Sequence, residues 1–245
     1  MTIKLSIIVP CYNEEKNIPK LLAAFDAVIN RHDIELVLVN NGSTDNSEQV
    51  LNQLISKYTF ARVHHVVKNL GYGFGIMSGL KCAKGDFLGW THADLQTDPK
   101  DIVKALSIIE EKHDDPRIYV KGDRKKRPIF DQFFTAGMSI FESLYMGKKL
   151  WDINAQPNFF HRSFFDKWQA DAPDDFSLDL YVLFMAKHLN LTVERFDVVF
   201  PERQHGESSW NTGISGKWKF IKRTLEFSME LKRELKRDPL YRSSN

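Results

Sequence analysis

The order in which apolar runs and polar clusters alternate constrains this chain more than any other feature. Four times within the first 112 residues a short apolar run closes on a polar cluster that leads into an amphipathic stretch. Leu5–Val9 ends at Pro10 and the turn Tyr12–Glu15, before a helical pattern from Ile18 to Ile29. Glu35–Val39 ends in Asn40-Asn41-Gly42-Ser43, and Ser43 or Thr44 can cap a helix running to about Tyr58. Val63–Val67 passes through the glycine-rich loop Asn69–Gly75 into a helix over Ile76–Ala83. Asp86–Trp90 ends in Thr91–Gln96, after which Pro99 takes the first position of a helix through Lys112. Strands alternating with helices at this spacing predict an α/β chain, a mostly parallel sheet with helices on both faces. Ligands of such sheets bind beyond the carboxyl ends of the strands, where all four polar clusters fall.

After Ile118–Val120, read as a fifth strand, the pattern loosens. Lys121–Arg127 reads as a basic, solvated loop, Phe130–Met146 as a helix and residues 152–160 as irregular or strand. Phe176–Leu189 reads as a helix, Val193–Phe200 as a strand, Pro201–Asn211 as a polar loop, and Lys217–Arg237 as a long amphipathic helix. The 245 residues are taken as one domain, with a soft boundary near residue 120 and a C-terminal helical segment over 212–245. A composition of 42% hydrophobic and 27% charged residues excludes disordered and collagen-like classes. Two cysteines, Cys11 and Cys82, are too few for a disulfide framework and are expected reduced and structural. No apolar run approaches the roughly 18 residues of a membrane helix, and the opening MTIKLSIIVP is too strand-like for a signal peptide. The expected location is the cytoplasm, at most peripheral on the inner face of a membrane. A net charge of +2 argues against a nucleic-acid binder. That balance conceals two cationic segments: residues 121–127 carry five basic side chains and one acidic, and 217–242 carry nine and four, leaving the rest of the chain at −7.

Strand-end loops holding Asp, Asn, Gly and Gln, with no Walker loop and no activated Ser or Cys, suggest an anionic nucleotide together with a metal. The glycines at 71, 73, 75 and 79 invite a dinucleotide reading, but GxGxxG spacing would need glycine at Ile76 and belongs after the first strand. The other reading is a tight turn where backbone approaches a ligand or helix. In His92-Ala93-Asp94-Leu95-Gln96, alternation along an extended segment places an imidazole, a carboxylate and an amide on one side. Such a set forms an open divalent-metal site that diphosphate oxygens complete, and the imidazole tilts it from Mg²⁺ toward Mn²⁺. Alternatively Asp94 caps a loop and His92 packs, half-buried.

The set Pro10-Cys-Tyr12-Asn13-Glu14, Asn40-Asn41-Gly42-Ser43-Thr44-Asp45, Asn69-Leu-Gly71-Tyr-Gly73 and His92-Ala-Asp94-Leu-Gln96 resembles the family 2 glycosyltransferases with the GT-A, Rossmann-like fold. More narrowly it resembles their dolichol-phosphate mannose synthase and polyprenyl-phosphate glycosyltransferase branch. The similarity continues through Gly122-Asp-Arg124, Asp152, Asp179 and Phe200-Pro-Glu-Arg203-Gln-His-Gly206-Glu-Ser208, and covers about residues 3–210. It implies a nucleotide-diphosphate sugar bound in the first half and an acceptor in residues 121–211. Pro10, Tyr12 and Glu14 would border the nucleoside with Gly71, Asn41 would face the base, and Asp94 and Gln96 would bind metal. Two departures stand out: Asn40-Asn41 where the family usually has two aspartates, and His92 where it has the first aspartate of Asp-Ala-Asp. An amide at 41 can accept from uracil N3–H and donate to O4, whereas guanine's paired donors suit a carboxylate, so a UDP-sugar is expected over a GDP-sugar. The same departures admit a catalytically silent nucleotide-sugar binding module.

Inverting transfer, which the resemblance implies, needs a nucleophile in line with the anomeric carbon, and a base only where that nucleophile is a neutral hydroxyl. A polyprenyl phosphate needs none, but needs cationic groups to hold it. Arg124 and Arg203, with Ser208 nearby, are the candidates for the acceptor phosphate. If the acceptor is a saccharide hydroxyl, as in surface-polysaccharide assembly, Asp179 or Asp152 would take its proton; otherwise Asp152 orients the basic loop and Asp179 starts a helix. Asn154, Gln156 and Asn158 form a polar stretch that could bond a sugar ring. The last helix collects Lys219, Lys222, Arg223 and Arg233 on one arc and Trp218, Phe220, Leu225 and Leu231 on the other, which suits a membrane interface or a cover for its own domain.

Overall fold

The computed structural model describes residues 2–125, 129–199 and 213–237. Its centre is a seven-stranded sheet in the order β3-β2-β1-β4-β6-β5-β7. The strands are β1 (Leu5–Cys11), β2 (Ile34–Asn41), β3 (Ala61–Val66), β4 (Phe87–Trp90), β5 (Ile118–Lys125), β6 (Asn158–His161) and β7 (Thr192–Val199). All pairings are parallel except those of β6, which runs antiparallel between β4 and β5. The helices are α1 (Ile18–Asp26), α2 (Ser47–Leu54), α3 (Tyr72–Cys82), α4 (Lys100–Glu111), α5 (Ile129–Met146), α6 (Arg162–Trp168), α7 (Leu178–His188) and α8 (Gly213–Arg237).

Strand periodicity sorts the core into two layers. Ile7, Val9, Leu36, Leu38, Val120 and Phe159 face one side, where Leu22 and Phe25 of α1, Leu51 of α2 and Ile102 and Leu106 of α4 cover them. Ile8, Val37, Val39, Trp90, Tyr119 and Phe160 face the other, against Ile76 and Leu80 of α3, Phe164 and Trp168 of α6, and the nearly all-buried α7. Helices therefore flank both faces, as the alternation predicts.

Three expectations change. The loop assigned to Lys121–Arg127 is strand as far as Lys125, because β5 pairs with β7 along its whole length, from Ile118↔Thr192 to Lys125↔Val199. Residue 120 accordingly lies inside β5. Helix α3 starts at Tyr72, ahead of the expected Ile76, and α6 follows β6 directly, where no helix was expected. The apolar seam of α8 lies on its own domain: Thr224, Ser228 and Leu231 are buried, and Phe227 and Leu235 pack on the α7 layer. The exposed apolar side chains of this region belong mainly to α5, whose Phe133 and Leu144 are 75% and 80% exposed, with Ile140 and Phe141 alongside. At 133, 140, 141 and 144 they recur at helical spacing on one stripe.

Candidate functional site

The loops after β1, β2, β3 and β4 meet at the carboxyl edge of the sheet, and side-chain bonds tie the first two together. Asn13, in the left-handed region (φ 58°), accepts from the Thr44 amide at 2.8 Å and donates its own amide to Ser43 Oγ at 3.1 Å. The Glu14 amide donates to Ser47 Oγ at 2.8 Å, and Glu14 Oε2 accepts from Asn17 Nδ2 at 2.5 Å. Pro10 is half-buried and Tyr12 is exposed above this clasp. Asn40 is held within its own turn, Oδ1 accepting from the Ser43 amide at 3.2 Å.

Asn41 ends β2 and is 3% exposed; its Nδ2 donates to the Gly71 carbonyl at 3.0 Å, and its Oδ1 is buried with no hydrogen-bond partner among the described residues. An orphaned buried acceptor at a strand end is a cost that a ligand donor would relieve. The glycines of the third loop serve close packing, not a dinucleotide cradle. Gly71 sits at φ 133°, and a Cβ there would lie 2.4 Å from the Asp174 carbonyl; at Gly75 it would lie 2.7 Å from Asn41 Nδ2. The tight-turn reading of this loop is the one the geometry bears out.

At the end of β4, Asp94 is buried and its Oδ1 accepts from the Gln96 amide at 3.1 Å. Leu95 lies in the left-handed region (φ 59°), so the extended alternation expected over 92–96 breaks there, and the turn sets the place of Gln96. His92 is half-buried, its ring centroid 6.4 Å from that of Tyr72. Among the described residues no three His, Cys, Asp or Glu side chains form a closed cation cage. The donor set of one carboxylate, one amide and one imidazole fits an open site that takes most of its ligands from a diphosphate.

Behind this edge lies a buried polar network that sequence reasoning did not assemble. Asp179, in the first turn of α7, is 2% exposed; Oδ2 accepts from the Tyr72 hydroxyl at 3.3 Å and Oδ1 from Asn158 Nδ2 at 3.2 Å. Gln156 Nε2 donates to the Tyr72 hydroxyl, and the Tyr72 ring stacks on Phe176 at 4.4 Å. Asn158 Oδ1 accepts at 2.8 Å from the Tyr119 hydroxyl and at 2.6 Å from Lys121 Nζ, which also donates to the Ala155 carbonyl at 2.6 Å. Lys121 is 0% exposed, which corrects its assignment to a solvated basic turn. The available signal was strand parity: two residues after Tyr119, Lys121 falls on the same face of β5. Gln156 and Asn158 are likewise network members.

Burial pushes the Asp179 carboxyl above its ordinary range despite the nearby Lys121 and His92. Asp152 behaves oppositely: burial raises it, but the Arg124 guanidinium and backbone amide outweigh that and hold it below the usual carboxylate range. Asp152 Oδ2 accepts from the Arg124 amide at 2.9 Å and Oδ1 from Arg124 Nε at 2.9 Å and from its terminal nitrogen. With both oxygens engaged and its basicity lowered, Asp152 orients Arg124 and is a poor proton acceptor. Arg124 borders a cleft with Thr135 and Ser139 of α5, Asn154 and Ser177. Lys125, at the end of β5, pairs with Asp123 at 2.6 Å. Arg203 and Ser208 lie outside the described residues.

The model of a family described as glycosyl transferase family 2 matches residues 6–168. An undecaprenyl-phosphate 4-deoxy-4-formamido-L-arabinose transferase of Pseudomonas fluorescens (strain Pf0-1) is 29% identical over 210 residues, covering 84% of this chain and 60% of its own length. A dolichol-phosphate mannosyltransferase of Pyrococcus furiosus is 31% identical over 137 residues, covering 55% of this chain and 39% of its own. The chain thus spans about 60% of the first relative. Among solved structures, a mannosyltransferase of Pyrobaculum calidifontis in complex with GDP-Man and Mn²⁺ superposes with a TM-score of 0.63 at 18% identity, covering 84% of this chain and 59% of the other. A glucosyl-3-phosphoglycerate synthase of Mycobacterium tuberculosis in complex with UDP does so at 0.65 and 16% identity, covering 88% and 76%. At these identities the structural likeness shows the fold alone, and that fold is GT-A.

Proposed function

Because this chain belongs to glycosyl transferase family 2, we propose that it moves a sugar, with inversion, from a nucleotide-diphosphate sugar to a lipid-linked acceptor, a polyprenyl phosphate. The observation that carries the acceptor class is the apolar stripe of α5, with Phe133, Ile140, Phe141 and Leu144 exposed on the helix whose Thr135 and Ser139 line the Arg124 cleft. That arrangement suits an acceptor whose phosphate enters the protein while its tail stays in lipid. The named relatives, both of which carry a polyprenyl-type phosphate in their names, support it. No described helix is long and apolar enough to cross a membrane; the membrane contact proposed for this chain is the α5 stripe, at the cytoplasmic face. We assign this contact to α5 and not to the last helix, whose Thr224, Ser228 and Leu231 are buried against its own domain.

The nucleotide half lies over the clasped loops of β1 and β2. Tyr12 and Pro10 border the nucleoside, and the orphaned Asn41 Oδ1 accepts the N3–H of a uracil, which favours a UDP-sugar. Reaching it requires the Asn41–Gly71 contact to adjust. Asp94, with His92 and Gln96, would hold a divalent metal, Mn²⁺ or Mg²⁺, which when bound neutralises the diphosphate leaving group. An acceptor phosphate oxygen attacks the anomeric carbon opposite the diphosphate, and the bond to the leaving oxygen breaks with its electron pair going to the nucleotide. The nucleophile is already anionic, so no base is required. Arg124, held by Asp152, supplies positive charge at the cleft, and Arg203 and Ser208 are proposed to join it.

A saccharide hydroxyl is the second reading, favoured by the raised carboxyl of Asp179, which could take the proton. Transfer from UDP-, GDP- and dTDP-sugars to undecaprenyl phosphate and to oligosaccharides, with Mn²⁺ or Mg²⁺, tests both. Turnover with UDP-sugar and lipid phosphate is expected, with Asp94→Asn reducing it by about 10²-fold or more. Tighter binding of GDP than UDP in calorimetry would overturn the donor reading, and transfer to saccharides alone would overturn the acceptor.

A further inference from the structure

A lysine ammonium in a dry sheet interior is costly unless compensated, and an apolar residue of similar size would usually give a more stable core. Lys121 sits at such a position. It pairs in register with Asn158 across β5 and β6, and Asn158 pairs in turn with Trp90, the last residue of β4, so the lysine lies level with the edge where the site is built. The Nζ bonds to Ala155 and Asn158 leave it no exposure to solvent. The Asn158 amide then passes the contact on: its oxygen accepts from Lys121 and Tyr119 while its nitrogen donates to Asp179. An amide can relay in this way only with its oxygen toward the cation and its nitrogen toward the carboxylate, so the two charges fix its orientation.

We infer that Lys121 is a positioning residue for transfer to a saccharide hydroxyl, the second of the two reactions, in which Asp179 takes the proton: acting through Asn158, its buried ammonium fixes the orientation of the Asp179 carboxylate beside Tyr72 and His92. This rests on the second reading, of Asp179 as the base for a hydroxyl acceptor. The charged and titratable groups around Lys121 are Asp179 from α7, Asp152 from the segment before β6, Arg124 and Tyr119 from β5 and Arg195 from β7. Around Asp179 they are Lys121, His92, Tyr72 and Tyr119. Arg124 already holds Asp152, and Arg195 donates to the Gly122 and Trp151 carbonyls. Asp179 is therefore the carboxylate whose geometry Lys121 governs. Burial draws the Lys121 ammonium down to about 7, and its residual charge depends on these acids.

A double-mutant cycle between Lys121→Met and Asp179→Asn tests this, read by thermal denaturation and by turnover. Each single change leaves the opposite charge buried and uncompensated, so each lowers Tm, and the double variant melts above both. In turnover with a saccharide acceptor, Lys121→Met loses about 10–100-fold in kcat with donor KM unchanged, the usual effect of removing a group that orients a reacting one. The double variant is no slower than Asp179→Asn alone. Asn158→Ala, which cuts the relay with both charges present, gives the same kcat loss and keeps the test decisive should Lys121→Met fail to fold. Additive Tm changes, or wild-type kcat in both Lys121→Met and Asn158→Ala, overturn the inference. Wild-type turnover by Asp179→Asn overturns instead the reading of Asp179 in the reaction, and the melting cycle then decides by itself whether Lys121 acts on Asp179.

Discussion

Glu142 offers a measurement of how α5 and α8 are held together. It lies on the inner side of α5, 0% exposed; Oε2 accepts from Ser228 Oγ of α8 at 2.8 Å, and Oε1 is buried with no partner among the described residues. Burial raises its carboxyl from 4.5 to about 7, against the smaller opposing effect of the Ser228 hydroxyl. Because the folded value is the higher one, the folded state retains a proton that the unfolded state has released in the window between them. Stability is fully present below the unfolded value and declines as pH rises through the folded one. The whole window is worth about 3 kcal/mol, and about 2.5 kcal/mol of it falls between pH 5 and pH 8. Glu142→Gln keeps the shape and removes the titration. Urea denaturation of both proteins across that range should give curves that nearly meet at the acid end and diverge by about 2.5 kcal/mol at pH 8, with the variant the more stable. Parallel pH profiles would refute the buried-carboxylate argument, and a variant less stable at every pH would show that the Ser228 bond outweighs the desolvation.

Gly75→Ala sets a helix-favouring residue against a Cβ only 2.7 Å from Asn41 Nδ2. The expected result is a small change in Tm with nucleotide affinity down by about tenfold, near 1.4 kcal/mol, in calorimetry; unchanged affinity would separate Asn41 from the base. Leu144→Asp and Phe133→Ser alter exposed positions and should shift stability by no more than about 0.5 kcal/mol. Both should abolish co-flotation with liposomes containing anionic lipid, and undiminished flotation would remove α5 from the proposed membrane contact.

The first 112 residues were legible because each element there announces itself locally. An apolar run of strand length, a polar closure and a 3.6-residue period follow one another with no help from distant contacts. Even there α3 hid its first turn: Tyr72-Gly73-Phe74-Gly75 has poor helix propensity, and what makes it helical is packing against residues 173–175, a hundred positions away. The same reason accounts for β5. Lys121–Lys125 is charged and reads as loop, yet β6 and β7 supply the ladder that keeps it extended.

The candidate site divides along the same line. Asn41, Asp94 and the Asn13–Glu15 turn lie at strand ends, where topology alone directs attention, and motif resemblance adds to it. Tyr72, Lys121, Asn158 and Asp179 belong to α3, β5, β6 and α7, and no spacing along the chain relates them. Asp179 was singled out through resemblance and Asn158 only as part of a polar stretch, and a carboxylate considered by itself says nothing about its charge or direction. Those come from three neighbours that looked like a glycine-loop tyrosine, a surface lysine and a polar-stretch asparagine. A lysine two residues after a core tyrosine on one strand face is the local sign that could have been used. Parity puts it in the interior, and an interior lysine requires a carboxylate or carbonyl partner, so the search for that partner leads to Asp179.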